Sequence, residues 1–142
     1  MTNHSILLVE DNPDDVELTL RVLKSKSVAK EIVVAKDGQE ALDLLFEKNH
    51  AFSLKLPSVV ILDLKMPKVD GMDVLRQLRA EPRTSALPIV VMTTSNEEQD
   101  VVTSYQLGAN SYVRKPLGYE EFEQAVLNLG LYWLSLNVTL DL

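Results

Sequence analysis

Val59-Val60-Ile61-Leu62-Asp63, bounded by Pro57 and Pro67, is an apolar, β-branched run that ends in a carboxylate. A run this short and this uniformly apolar reads as a strand buried on both faces, the kind found inside a parallel sheet. An acid at the C-terminal lip of such a strand lies where open α/β sheets place their ligands. Ile6-Leu7-Leu8-Val9 is a second buried-strand run, and it ends in Glu10 and Asp11. Two such strands side by side bring three acids to one crevice. That cluster repels itself unless a cation joins it, and a hard divalent ion with oxygen ligands answers the need.

Outward from these two runs the chain alternates strand and helix. Asn12-Pro13 reads as an N-cap with proline at the first helical position, opening a helix over about 14–27 with Val16, Leu20 and Leu23 on one stripe. A short strand follows over 31–35, then a helix over 38–48 carrying Ala41, Leu42, Leu45 and Phe46 at helical spacing. A loop over about 49–57 precedes the central strand. After it, Pro67 and Asp70-Gly71 mark turns, and a helix is expected over 72–80. The fourth strand spans 88–92, with Ser95 or Asn96 capping the next helix and Gly108 stopping it. A brief strand over 111–113 leads to the last helix, about 119–135, and a tail over 136–142. The pattern predicts one α/β domain over 1–142, a doubly wound, five-stranded parallel sheet with helices on both faces.

Composition narrows the function. The chain has 142 residues, a formal net charge of −7 and no cysteine. The charge disfavours a nucleic-acid partner, since neutralising phosphates needs a basic surface. Arg76, Arg79 and Arg83 are spaced as the solvated face of a helix. No apolar run reaches the roughly 20 residues of a membrane span. The start of the chain lacks the basic cap of a secretory signal, so a cytoplasmic location is expected and the N-x-[ST] patterns at Asn3 and Asn137 read as chance.

Parallel strands finish on one side of a sheet, so their ends deliver Glu10, Asp11, Asp63, Thr93 and Lys115 together. Acids, a hydroxyl and an amine suit phosphoryl transfer, which demands positioning and charge neutralisation above all. Asp63 is the natural nucleophile, Mg²⁺ on Asp11 and Asp63 the natural shield, and Lys115 and Thr93 the groups to meet phosphoryl oxygens.

The stretches ILLVEDNPDD at 6–15, VVILDLKMPKVDG at 59–71, IVVMTTS at 89–95 and GANSYVRKP at 108–116, with the spacing of Asp63, Thr93 and Lys115, resemble the receiver domain of bacterial response regulators over residues 5–130. The resemblance implies the sheet order 2-1-3-4-5 and a phosphoryl group accepted on Asp63 from a histidine kinase. It implies Mg²⁺ held by Glu10 through water, Asp11, Asp63 and the backbone carbonyl of Lys65. It further implies a switch in which Thr93 moves and Tyr112 turns inward, and a cis peptide before Pro116. Lys65 stands where family members vary. Tyr132-Trp133-Leu134 and TTSN at 93–96 resemble a narrower group, single-domain regulators paired with phytochrome-like histidine kinases.

Two rival readings remain. A haloacid-dehalogenase-type phosphatase also uses a strand-end Asp with Mg²⁺, although Asp63-Leu64-Lys65 lacks its second acid. An adaptor that only dimerises needs no phosphoryl chemistry. The last helix carries one stripe for the sheet, Phe122, Val126, Leu129 and Trp133, and a surplus stripe, Leu127, Leu131, Leu134 and Val138. A surplus apolar stripe predicts a homodimer interface.

Overall fold

Residues 4–46 and 56–140 are described in the computed structural model of the chain. Five strands alternate with helices: β1 Ser5–Val9, α1 Pro13–Ser25, β2 Glu31–Ala35, α2 Gly38–Phe46, β3 Val59–Leu62, α3 Gly71–Ala80, β4 Ile89–Thr93, α4 Glu98–Gln106, β5 Ser111–Arg114 and α5 Tyr119–Leu131, which runs on into a π-helical turn, Tyr132–Leu136. All strand pairs are parallel, in the order β2-β1-β3-β4-β5. This is the expected doubly wound sheet.

The apolar runs become the inner strands for a simple reason. Every residue of β1, β3 and β4 is buried, whereas β2 and β5, at the sheet edges, are mostly half-buried. Successive strand residues point to opposite faces. Leu7, Val9, Val60, Leu62 and Val91 therefore meet Leu42 and Leu45 of α2 and Leu75 and Leu78 of α3 on one side. Ile6, Leu8, Val59, Ile61, Val90 and Met92 meet Leu23 of α1 and Phe122, Val126 and Leu129 of α5 on the other. Two cores, one per face, fix the register of the strand ends.

Helix starts follow their caps in two cases. Asn12 Oδ1 accepts from the amides of Asp14 (2.9 Å) and Asp15 (3.2 Å), with Pro13 behind it. Asp70 Oδ1 accepts from the Asp73 amide at 3.0 Å, and α3 begins one residue before its expected start. At α4 the expectation is corrected. Glu97, not Ser95 or Asn96, occupies the N-cap position and makes no side-chain cap bond; the Ser95 hydroxyl instead accepts from the Glu97 amide and donates to Asp100. Gly108 ends that helix region at φ +104°, a left-handed conformation that suits glycine. The first helix stops at Ser25, two residues early, and Ser27 then turns with φ +53°. The last two residues expected in the second helix, and most of the following loop, lie outside the described residues.

Two expectations fail outright. No cis peptide bond occurs among the described residues, so the one before Pro116 is trans. Leu134 is not on a surplus stripe: it is 2% exposed, inside the second core, and Trp133 is only half-buried at its edge. The π-helical turn is the cause. The Asn137 amide bonds back five residues to the Tyr132 carbonyl (2.6 Å), so Leu129 is followed on the core side by Leu134 rather than Trp133.

The arginines expected on one solvated face part company as well, Arg76 and Arg79 lying on α3 and Arg83 beyond its end. Arg76 pairs with Asp73 on the surface. Arg79 is half-buried and donates to the carbonyls of Gly108 (2.9 Å) and Thr84 (3.1 Å) and to Asn110 Oδ1 (2.9 Å), pinning the entry to β5. Arg83 donates to the Leu45 carbonyl at 2.6 Å, near the end of α2. No helix among the described residues is long and apolar enough to cross a membrane.

Candidate functional site

The sheet ladder runs one residue past the strands and thereby positions the site. The Glu10 amide donates to the Ala35 carbonyl (3.0 Å), the Asp63 amide to Val9 (3.0 Å) and the Lys115 amide to Thr93 (2.7 Å). Backbones held this way aim their side chains into the crevice at the carboxyl end of the sheet, at the point where strand order reverses about β1 and β3. Glu10, Asp63, Thr93 and Lys115 are all buried, and Asp11 is exposed at the rim.

Glu10, Asp11 and Asp63 each present one carboxylate oxygen, and these oxygens lie within 4.8 Å of one another. Lys115 Nζ bonds to Glu10, reaches Asp15 Oδ2 at 3.0 Å and Asp63 Oδ2 at 3.4 Å. Asp15 was not among the residues that the sequence pointed to. It stands in the first turn of α1, behind the Asn12 cap, where an acid reads as a helix-end charge.

Three acids share one lysine here, with Asp11 beside them, and the ionisation of the buried members shows it. Burial pushes the Glu10 carboxyl up to about 7; the negative Asp63 adds to the rise, and the Lys115 hydrogen bond only partly offsets it. Burial alone would depress Lys115, but the Glu10 hydrogen bond and the charge of Asp63 outweigh it and hold the ammonium above its ordinary range. Lys115 is therefore a fixed cation, and the acid cluster remains under-neutralised. A hard divalent cation fits that oxygen donor set.

Two glycines let the adjacent loop approach. A Cβ on Gly71 would lie 2.3 Å from the carbonyl oxygen of Asp63, and one on Gly38 would lie 1.8 Å from that of Val69. The Gly71 amide donates to the Leu64 carbonyl (2.9 Å), closing the loop, and Lys68, at φ +65°, reaches Asp37 Oδ2 at 3.5 Å. The Lys65 side chain is exposed, while its amide lies 3.5 Å from Asp63 Oδ1, which sets this backbone at the edge of the acid cluster. A cleft lined by Asp11, Lys65, Met66, Asp70, Met72 and Asp100 opens beside it.

Thr93 and Tyr112 are joined through Ser95. The Ser95 amide donates to Thr93 Oγ1 (3.4 Å), and the Tyr112 hydroxyl donates to the Ser95 carbonyl (3.1 Å), so Tyr112 is turned inward and half-buried. The residues expected at a dimer interface are not brought together in this way. Leu127 packs half-buried on the second core, Leu134 lies inside it, and Leu131 and Val138 are 40% and 90% exposed.

Comparison with known proteins gives a consistent answer. Residues 6–127 match the model of the response regulator receiver domain. Response regulator Rcp1 of Synechocystis sp. is 36% identical over 130 residues, 92% of this chain and 88% of the relative. The crystal structure of Mn²⁺-bound Rcp1 superposes with a TM-score of 0.90 at 33% identity, over 97% of this chain and 99% of the other. The phosphorylated cyanobacterial phytochrome response regulator RcpA superposes equally well, with a TM-score of 0.90, 33% identity and the same coverage. The strand-end acids, the buried lysine and the match across most of the chain lead to one conclusion: this protein belongs to the response regulator receiver domain family and works in phosphorylation-based two-component signalling.

Proposed function

We propose that Asp63 accepts a phosphoryl group from a phosphohistidine of a sensor histidine kinase. The Asp63 carboxylate oxygen attacks phosphorus, the O–P bond forms as the P–N bond breaks, and the imidazole leaves with its electron pair and takes up a proton. Lys115 Nζ already stands 3.4 Å from Asp63 Oδ2 and offers its charge to a phosphoryl oxygen. The Thr93 hydroxyl donates to another. Glu10 through water, Asp11, Asp63 and the Lys65 carbonyl would hold Mg²⁺, which supplies charge shielding between acceptor and donor. The observation that carries this reading is a buried strand-end Asp63 set between two more acids and one fixed lysine.

The test is incubation with acetyl phosphate and Mg²⁺, followed by intact mass. One added phosphoryl group that vanishes in Asp63→Asn supports the reading, and unchanged mass in both proteins overturns it.

The partner surface lies beside Lys115. Leu117 is 100% exposed, and with Leu18, Arg21 and Tyr119 it lines a shallow cleft above Asp15. An apolar anchor ringed by charge suits a protein partner, and the likeness to a phytochrome response regulator suggests a phytochrome-like kinase. Self-association is the second partner reading. Leu131, Tyr132, Leu136, Val138 and Leu140 are all exposed at the end of the last helix and beyond, an apolar patch that a second copy would cover in a homodimer.

A further inference from the structure

Ser95 is only 7% exposed, and all its polar groups are engaged. Its amide donates to Thr93 Oγ1 (3.4 Å), and its carbonyl accepts from the Tyr112 hydroxyl (3.1 Å). Its hydroxyl accepts from the Glu97 amide (3.3 Å) and donates to Asp100 Oδ2 at 2.5 Å. One residue thus ties the end of β4, the start of α4 and the aromatic of β5. Of these bonds the one to Asp100 is charge-assisted and the shortest, so it anchors the rest. Asp100 comes from the first turn of α4 and lines the same cleft as Asp11 and Lys65.

The consequence reaches Thr93. Accepting from the Ser95 amide leaves the Thr93 hydroxyl with its single proton to give. A phosphoryl oxygen on Asp63 is the recipient assigned to it above. We infer that Asp100 is a positioning residue for phosphoryl transfer: by gripping the Ser95 hydroxyl it holds the turn after β4 so that Thr93 faces the acceptor and Tyr112 stays inward. The inference rests on Asp63 as acceptor. Asp100 also favours the positive end of α4, but that contribution needs no contact with Ser95.

Rates of labelling by acetyl phosphate with Mg²⁺, read by intact mass, separate these roles when thermal midpoints are measured alongside. Asp100→Ala and Ser95→Ala are each expected to slow labelling about tenfold, equivalent to ~1.4 kcal/mol. The double variant should be no slower than either single one, because both remove the same contact. Asp100→Asn keeps an oxygen that accepts from Ser95 and should label within about threefold of the wild type. Faster labelling in both Asp100 variants would show a carboxylate that acts by charge on the anionic donor, overturning the inference. Equal losses in Asp100→Ala and Asp100→Asn that track their thermal midpoints would also overturn it, in favour of a helix-end role. A labelled wild type with an unaffected Asp100→Ala sinks this inference alone, whereas an unlabelled wild type sinks the acceptor reading with it.

Discussion

At the scale of single residues, the site is a balance between burial and charge. Glu10 is raised from 4.5 to about 7 in the folded chain, so between those values the folded state holds a proton that the unfolded state has lost. Stability of the metal-free protein therefore falls as pH rises through that window. Thermal midpoints measured across it should decline, and both added Mg²⁺ and Glu10→Gln should flatten the decline. Gly71 shows the steric side of the same site. Its missing side chain leaves room for the Asp63 carbonyl, and a Cβ there would meet backbone atoms of Asp63 at 2.3 Å and of Leu64 at 2.6 Å. Gly71→Ala is expected to cost about 1–3 kcal/mol in urea unfolding, in the range of overpacked sites. Asp63 and Thr93 were legible in the sequence because each follows or ends an apolar run, and Lys115 because it follows the brief last strand. Asp15 and Asp100 were not, because an acid in the first turn of a helix reads as a helix-end charge, and only the folded chain sets Lys115 and the Ser95 hydroxyl against them.

At the scale of elements, the decisive departure is the end of the last helix. A 3.6-residue period places Trp133 inward and Leu134 outward, whereas the π-helical turn puts Leu134 inside the core and leaves Trp133 half-buried at its edge. Leu134→Ala should therefore destabilise the protein by about 2–5 kcal/mol, the range for a fully buried leucine. Leu131→Ala, 40% exposed one turn earlier, should change stability by no more than about 0.5 kcal/mol. Chemical denaturation of the two variants checks this placement directly, and equal losses would contradict it. The third helix offers a parallel case. Its two arginines do not share a role: Arg76 pairs with Asp73 on the surface, whereas Arg79 is half-buried and reaches the carbonyls of Gly108 and Thr84 and the amide oxygen of Asn110.

At the scale of the whole molecule, two of the exposed apolar features among the described residues point to partners. Leu117 stands fully exposed beside the proposed phosphoryl site. Leu117→Asp should slow phosphotransfer from a cognate histidine kinase at least about tenfold, the loss of an interface anchor worth ~1.4 kcal/mol or more. Labelling by acetyl phosphate should be unchanged, because that small donor needs no docking surface. The exposed residues at the other end of the chain make a separate prediction. Light scattering after gel filtration should give a dimer for the wild type and a monomer for Leu131→Glu combined with Val138→Glu.

The amino-acid sequence by itself determined the sheet, its parallel sense and the residues at its strand tips. Those follow from local facts: short β-branched runs, caps and turn residues whose meaning does not depend on distant neighbours. Tertiary structure decided which carboxylates Lys115 holds, how Ser95 links Thr93, Tyr112 and Asp100, and which face of the last helix is buried. Lys115 reaches Glu10 and Asp15 across 105 and 100 residues, and Tyr112 reaches Ser95 across 17. The Ser95 bonds to Thr93 and Asp100 join near neighbours that only the turn after β4 sets face to face. No periodicity within one segment encodes them, because they exist only where packing brings two surfaces within reach of a single hydrogen bond.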